Sequence, residues 1–347
     1  MKFARWLLLL FLLAALACGG FAYWVYAAMR APVAHDNAGR YISIDQGTGS
    51  NRILQILEEH RIIQSPLAAK LYLRFFDQGN KLQAGDYLFA SPISPNEVLA
   101  RLKDGKKRTV TLTIPEGWTR FEIAKRLAAR FPATPPVSEK DILAMMNDVS
   151  LIKDFDPMAK NLEGYLYPTT YEIELGAHPK AVIARMVGQF KTVWQPEWDR
   201  RAKQLGKTRH ELITIASLIE NESKVDKERP LIASVIQNRL DQGIKLGIDA
   251  TNVYIAKLLG RWDGVIHRSD VEVDHPYNTR IIYGLPPGPI SSASSSAFEA
   301  ALHPAETDYI YYVLNVEKGD GSHHFYATAA GFAKGKAAYQ KWLVKQR

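Results

Sequence analysis

The chain has 347 residues, 47% hydrophobic and 23% charged, with a formal charge of +8 from 44 Lys and Arg against 36 Asp and Glu. That length suits a membrane segment and about two domains, and the balance is that of a globular chain without a long disordered tail. A basic surplus suits acidic polymers or anionic lipid surfaces, but no zinc finger, RNP motif or aromatic-interleaved basic stripe points to nucleic acid, and a lone Cys18 excludes an intrachain disulfide and any CxxC metal or redox site.

Lys2 and Arg5 precede an uncharged run from Trp6 to Met29, longer than the ~20 residues a spanning helix needs. Tyr23, Trp24 and Tyr26 near its outer end fit an interfacial aromatic belt. A cleaved signal peptide would have a shorter apolar core, and Ala15-Leu16-Ala17 before Cys18 is a poor lipoprotein cleavage signal. The expectation is an uncleaved anchor over residues 1–30 that leaves the rest of the chain outside the cytoplasm, although Arg30 weakens the charge asymmetry.

After a polar linker over residues 31–40, residues 41–107 read as a compact strand–helix–helix–strand module. Tyr41 to Ile44 alternates, Gly47 and Gly49 turn the chain, and Asn51 to His60 reads as a helix. Ser65 and Pro66 open a second helix as N-cap and first residue, and Gly85 to Ala90 returns as a strand. Ser94 caps a helix through Leu102, and Lys103 to Arg108 reads as a basic turn. Thr109 to Ile114 alternates as a strand, and Gly117 turns into a helix from Thr119 to Arg130. Ile44, Gly47, Ile53 and Leu57 repeat the spacing of Ile114, Gly117, Ile123 and Leu127, which is either a shared plan or one turn solution reached twice.

Phe131 to Pro136 is a Pro-rich break near the main domain boundary, with residues 108–347 expected as a mixed α/β domain. Tyr309 to Leu314 reads as a strand, Phe325 and Tyr326 pair back across a Gly-rich turn, and Thr328 to Trp342 closes the chain as a helix. The expected class is α+β.

The chemistry concentrates around Ile213 to Ser223, ITIASLIENES. Its first seven residues are apolar or small, as in a core helix. Glu220 at its C-terminal end meets the negative end of the helix dipole and partial desolvation, both of which raise a carboxyl pKa and suit a general acid. The competing reading pairs Glu220 with Lys224, four residues on. Glu222 lies on the nearly opposite face, so the two do not form an acid pair on a continuous helix. Asp226 is a plausible N-cap for the next helix, with Pro230 in its first turn and Gly243 at its end. A second acid could come from Glu163, Asp249 or Glu228.

Glu163 to Tyr171, EGYLYPTTY, offers an acid and tyrosines for sugar contact or, equally, a packed aromatic turn. Asp249 and Thr251 precede a helical stretch, and Asp249 reads as its N-cap. Pro276 to Ile290, PYNTRIIYGLPPGPI, is a loop stiffened by Pro and Gly. SSASSSA, residues 291–297, lacks a Gly-x-Ser-x-Gly setting and reads as a helix start. The histidines lack His-Glu-x-x-His spacing, so neither a metal nor another cofactor is expected.

ASLIENES, ERPLIASVIQNRL, the Asp249–Thr251–Tyr254 run, YNTRIIYGLPPGPI, ALHP and SHHF, in that order, resemble the endolytic murein transglycosylases of the YceG-like family. The resemblance covers nearly the whole chain, anchor included, and makes residues 41–107 look like a degenerate LysM module. It implies a lyase that cuts the N-acetylmuramic acid–N-acetylglucosamine bond of peptidoglycan glycan strands without water, leaving 1,6-anhydromuramyl ends. The family's essential glutamate, taken as the first acid of its Glu-x-Glu motif, falls on Glu220, which would act as acid and then as base. By motif match Glu163, Asn238, Asp249, Tyr254, Tyr277 and Asn278 are the expected cleft residues; Thr169 stands where the family often has Asp. The resemblance further implies a peptidoglycan synthase or division protein as partner. A hydrolytic muramidase with a second carboxylate and a noncatalytic wall-binding scaffold are the rivals.

Overall fold

The computed structural model describes residues 2–38, 40–45, 47–76, 82–104, 109–130, 137–174 and 177–346. The Pro-rich break at Phe131 to Pro136, and the end of the basic turn at residues 105–108, lie outside them. The chain divides into two compact units, Met1–Val110 and Thr111–Arg347.

In the first unit, α1 (Lys2–Arg30) is followed by β1 (Tyr41–Ile44), α2 (Ser50–Glu59), α3 (Pro66–Phe75), β2 (Gly85–Leu88) and α4 (Pro95–Asp104). α1 is the one described helix long and apolar enough to cross a membrane. Its apolar side chains from Leu10 to Leu16 are exposed, whereas Val25 and Met29 near its end are buried among Ile53, Leu57, Leu99 and Leu102. β1 and β2 pair antiparallel, Tyr41 opposite Leu88 and Ile44 opposite Gly85. Ser65 caps α3 by accepting from the Ala68 amide at 3.2 Å, with Pro66 in the first turn, as expected of that dipeptide.

The division falls within β3 (Thr109–Thr113), and the second unit goes on with α5 (Arg120–Arg130), α6 (Glu139–Met145), β4 (Thr170–Glu174), α7 (Pro179–Val193), α8 (Pro196–Gln204), α9 (Arg209–Glu222), α10 (Arg229–Asp241), α11 (Asp249–Leu258), α12 (Arg268–Glu272), α13 (Ser295–Leu302), β5 (Tyr311–Leu314), β6 (His323–Tyr326) and α14 (Ala329–Gln346). β3 pairs with β4, and β5 with β6 in an antiparallel hairpin. α9 is the central helix and packs on α10 and α13. Leu212, Ile213, Ala216, Leu218 and Ile219 on it are all fully buried, the all-round burial its sequence called for. Phe190, Trp194, Trp198 and Phe298 close one side in edge and stacked contacts.

The spacing echo is realised in both units. Ile44 is the last residue of β1 and Ile114 the first after β3, both buried; Gly47 (φ +84°) and Gly117 (φ +73°) take the left-handed turn, and Ile53, Leu57, Ile123 and Leu127 are buried in the helices that follow. Two caps differ from expectation. Asp226 begins a short 3-10 turn, with Glu228 as the N-cap of α10, and Asp249 is the first residue of α11 rather than its cap.

Candidate active site

α9 is started by a capping box, Thr208 accepting from the Glu211 amide while Glu211 accepts from the Thr208 amide at 2.8 Å. It ends at Ser223, whose backbone is extended. The last turn therefore presents Glu220, Asn221 and Glu222 to three different surroundings.

Glu220 turns inward. Its carboxylate accepts a bidentate pair from Arg229, 2.7 Å and 3.0 Å, and two bonds from Ser294, 2.9 Å from the amide and 2.6 Å from the hydroxyl. Arg229 is also held by Asp226 at 3.0 Å. The partner is thus a guanidinium on α10, not Lys224. Three of these four groups are obligate donors and the fourth is a hydroxyl, so the geometry is that of a brace tying α9 to the start of α10 and the cap of α13.

Glu222 turns the other way. It lines a pocket of about 310 Å³ with Thr119, Asn221, Asp249, Val253, Tyr254, Lys257 and Ile290. Tyr312 on β5 donates to its Oε2 at 2.6 Å, and Oε1 has no hydrogen-bond partner among the described residues. Burial pushes the Glu222 carboxyl above the usual range; the Tyr312 bond opposes this, and the charge of Asp249 adds to it. Asn221 is fixed to the Ser217 carbonyl at 2.8 Å and to the Ser291 hydroxyl at 2.6 Å. Asp249 is exposed and paired with Arg280, whose Nε lies 3.0 Å away. On the far wall Lys257 pairs with Glu122.

Of the residues expected from sequence, Asp249 and Tyr254 reach this pocket together. Glu163 is only 1% exposed and accepts from the Arg120 amide at 3.0 Å and 3.2 Å. Burial pushes its carboxyl up to about 8, against the nearby Arg120 charge. It is not among the residues lining the pocket, and its electrostatic environment includes Arg120 and Tyr254. The Tyr277 ring meets that of Tyr254 at a tilt, 5.1 Å between centroids, with its phenol pushed up to about 12 by burial. Asn278 is fully buried and donates to the carbonyls of Val271 and Val273. Asn238 donates to those of Thr307 and Tyr309. Both asparagines anchor loops, and neither lines the pocket.

The Pro/Gly loop that carries Ile290 to the pocket is clamped from behind. His210 bonds Asp156 through Nδ1 and the Pro287 carbonyl through Nε2, each at 2.9 Å. Both partners are acceptors, an arrangement that favours the imidazolium, and the bond to Asp156 raises the His210 pKa. Gly164 (φ +83°) meets the same loop so closely that a Cβ would lie 2.5 Å from Pro289.

Sequence reasoning set Glu222 aside as a partner for Glu220 and passed over Tyr312 and Arg280. Glu222 was within reach, since the helical argument already placed the two acids on different faces. Tyr312 and Arg280 carried no local signal. No group of three or more His, Cys, Asp or Glu side chains among the described residues is arranged to hold a metal ion.

The YceG-like family model matches residues 42–338. The endolytic murein transglycosylase of Bacillus subtilis (strain 168) is 32% identical over 314 residues, covering 86% of this chain and 84% of that protein. That of Streptococcus pneumoniae (strain D39) is 29% identical over 88% of this chain, which spans 60% of the pneumococcal protein's length. A crystal structure of a yceG-like protein from Listeria monocytogenes superposes with a TM-score of 0.58 at 31% identity, over 85% of this chain and 97% of the other.

Proposed function

The chain belongs to the YceG-like family, and on that premise we propose that it is an endolytic lytic transglycosylase of peptidoglycan with Glu222, not Glu220, as its proton-transfer group. The observation that carries the choice is the contrast between the two carboxylates. Glu220 is held by four hydrogen bonds from Arg229 and Ser294, whereas Glu222 lines the pocket with its pKa raised by burial and one oxygen unengaged among the described residues.

In the proposed reaction the glycan strand lies across the pocket. Glu222 gives its proton to the glycosidic oxygen as the C1–O bond breaks, and N-acetylglucosamine leaves with its hydroxyl restored. The carboxylate so formed takes the proton of the muramyl C6 hydroxyl, and O6 closes on C1. No water is consumed, Glu222 ends protonated as it began, and the tethered nucleophile has the effective-concentration advantage of an intramolecular attack. Tyr312 holds Oε2 and leaves Oε1 for the sugar. Asp249, kept in place by Arg280, sets a negative charge where positive charge develops on C1.

In this reading α1 anchors the protein in the cytoplasmic membrane with the second unit on the outer side, β1–α2–α3–β2 is the LysM-like glycan-holding module, and a peptidoglycan synthase or division protein supplies nascent strands. Cofactors and nucleic acid have no role in it.

Asp249 in the same pocket favours one second reading, a hydrolytic muramidase in which it activates water. Digestion of purified murein by the wild type, Glu220→Gln and Glu222→Gln, read by mass spectrometry, separates them. Anhydromuramyl ends that vanish in Glu222→Gln support the lyase; reducing muramyl ends establish the hydrolase. A folded Glu222→Gln that cuts as well as the wild type removes the assignment.

A further inference from the structure

A second pocket opens beside the first. It measures about 390 Å³ and is lined by Lys224, Leu314, Asn315, Val316, the turn Gly319–Gly321 and Trp342, a size at the small end of the ~300–1,000 Å³ typical of small-molecule sites. It adjoins the proposed reaction site through two short connections. Lys224 is two residues beyond Glu222, and Leu314 is two residues beyond Tyr312 on β5, so it lies on the same strand face about 7 Å along.

Its polar groups are prepared rather than incidental. Asn315 is only 4% exposed. Its side-chain oxygen accepts from the Glu317 and Lys318 amides, both at 3.2 Å, which fixes the amide and turns Nδ2 away from them. Nδ2 has no hydrogen-bond partner among the described residues, although Asn315 lines the pocket. Nδ2 is therefore open to solvent on the pocket side and can donate to a bound acceptor. Lys224 makes no ion pair among the described residues, and its stem is pinned: Gly321 (φ +80°) sits so close that a Cβ there would lie 3.2 Å from the Lys224 Cβ. Trp342 on α14 is half-buried, backed by Tyr339 at 6.2 Å in a stacked contact, and presents an indole to the same space. Asp320 at the rim offers an acceptor for hydroxyls.

We infer that this pocket is a subsite for an N-acylated amino sugar bearing a carboxylate, with the sugar and its acyl methyl against Trp342, the acyl carbonyl on Asn315 Nδ2 and the carboxylate on Lys224. This rests on the proposed function and deepens it. The strand cut at Glu222 is read by an acidic residue one or two sugars away. The carboxylate belongs either to the lactyl group of the muramyl sugar or to the first acid of a stem peptide.

The test is calorimetric titration of the full chain in detergent with three soluble ligands. They are the N-acetylglucosaminyl–N-acetylmuramic acid disaccharide with a free lactyl group, the same disaccharide carrying its stem peptide, and N,N′-diacetylchitobiose, which has no carboxylate. At low salt at least one acidic ligand binds about tenfold more tightly than chitobiose, and Lys224→Met, an exposed substitution, abolishes that preference. Trp342→Ala weakens all three. The tighter of the two acidic ligands identifies the source of the carboxylate. Equal affinity for all three ligands, or a preference that survives in Lys224→Met, overturns the inference. Murein digestion by the same samples is scored separately. Lys224-dependent binding without cleavage removes the proposed function and leaves the subsite, while cleavage with Lys224-independent binding removes the subsite alone.

Discussion

Arg229→Met is the perturbation that most clearly separates a brace from a catalytic acid at Glu220. In the wild type the Arg229 and Glu220 side chains are 6% and 5% exposed and bonded bidentately. Removing the cation leaves a carboxylate in the core with Ser294 alone. Breaking a buried pair in this way costs about 3–5 kcal/mol. The second unit is of a size at which each kcal/mol lowers the thermal midpoint by about 2–4 °C, so its midpoint should fall by about 6–20 °C. Glu220→Gln keeps the shape and the Ser294 contact but loses the charge opposite Arg229, so it should destabilise comparably. The double variant Glu220→Gln/Arg229→Met should be less destabilised than the sum of the singles, because neither charge is then stranded. Urea titration followed by far-UV circular dichroism gives the three free energies, and murein cleavage at 15–20 °C, where the variants remain folded, gives their activity. The reasoning fails if Arg229→Met lies within about 0.5 kcal/mol of the wild type, the change expected of an unremarkable surface site. It fails equally if Glu220→Gln is as stable as the wild type yet inactive, the signature of an acid rather than a brace.

Tyr312→Phe removes the donor to Glu222 Oε2; since that bond holds the carboxyl down, the alkaline limb of the pH–rate profile should move to higher pH, with kcat falling by about 2–10-fold as expected for one hydrogen bond. An unmoved limb would separate Tyr312 from the acid. The hydrogen bond to Asp156, against the opposing effect of burial, raises the His210 pKa in the fold. Its stabilisation is therefore complete below about pH 6.5, the value in the unfolded chain, and is lost as pH rises through the higher folded value. Unfolding free energy should decline over that interval in the wild type, with the decline flattened in His210→Asn. Gly164→Ala places a Cβ 2.5 Å from Pro289 in a left-handed conformation. Overpacking of this kind costs about 1–3 kcal/mol, which a thermal melt would register as a lower midpoint of the second unit; an unchanged midpoint would show that the loop yields freely.

Much of the architecture was legible because it rests on local rules. Ser65-Pro66 opens α3, Gly47 and Gly117 turn the chain at positive φ, and the apolar run before Glu220 is buried on all sides. The helical repeat also placed Glu220 and Glu222 on different faces. What the repeat could not say was which face meets the cavity. That depends on Arg229 nine residues on and on Ser294 seventy-four residues away, contacts without a local signature. The same limit applies to the asparagines. A polar residue in a motif can touch a ligand or hold a loop, and Asn238 and Asn278 spend their amides on backbone carbonyls. Asp226 looked like a cap because its spacing from the next helix was right, but in the fold its carboxylate goes to Arg229 instead.

The central claim, that Glu222 transfers the proton while Glu220 holds the frame, is tested most directly by digesting purified murein side by side with the wild type and Glu222→Gln, both verified as folded, and counting anhydromuramyl ends by mass spectrometry. The account predicts abundant anhydromuramyl ends from the wild type and their loss, by 100-fold or more on the scale of general acid–base catalysis of about 10²–10⁴, in Glu222→Gln. Undiminished anhydromuramyl ends from Glu222→Gln would contradict it.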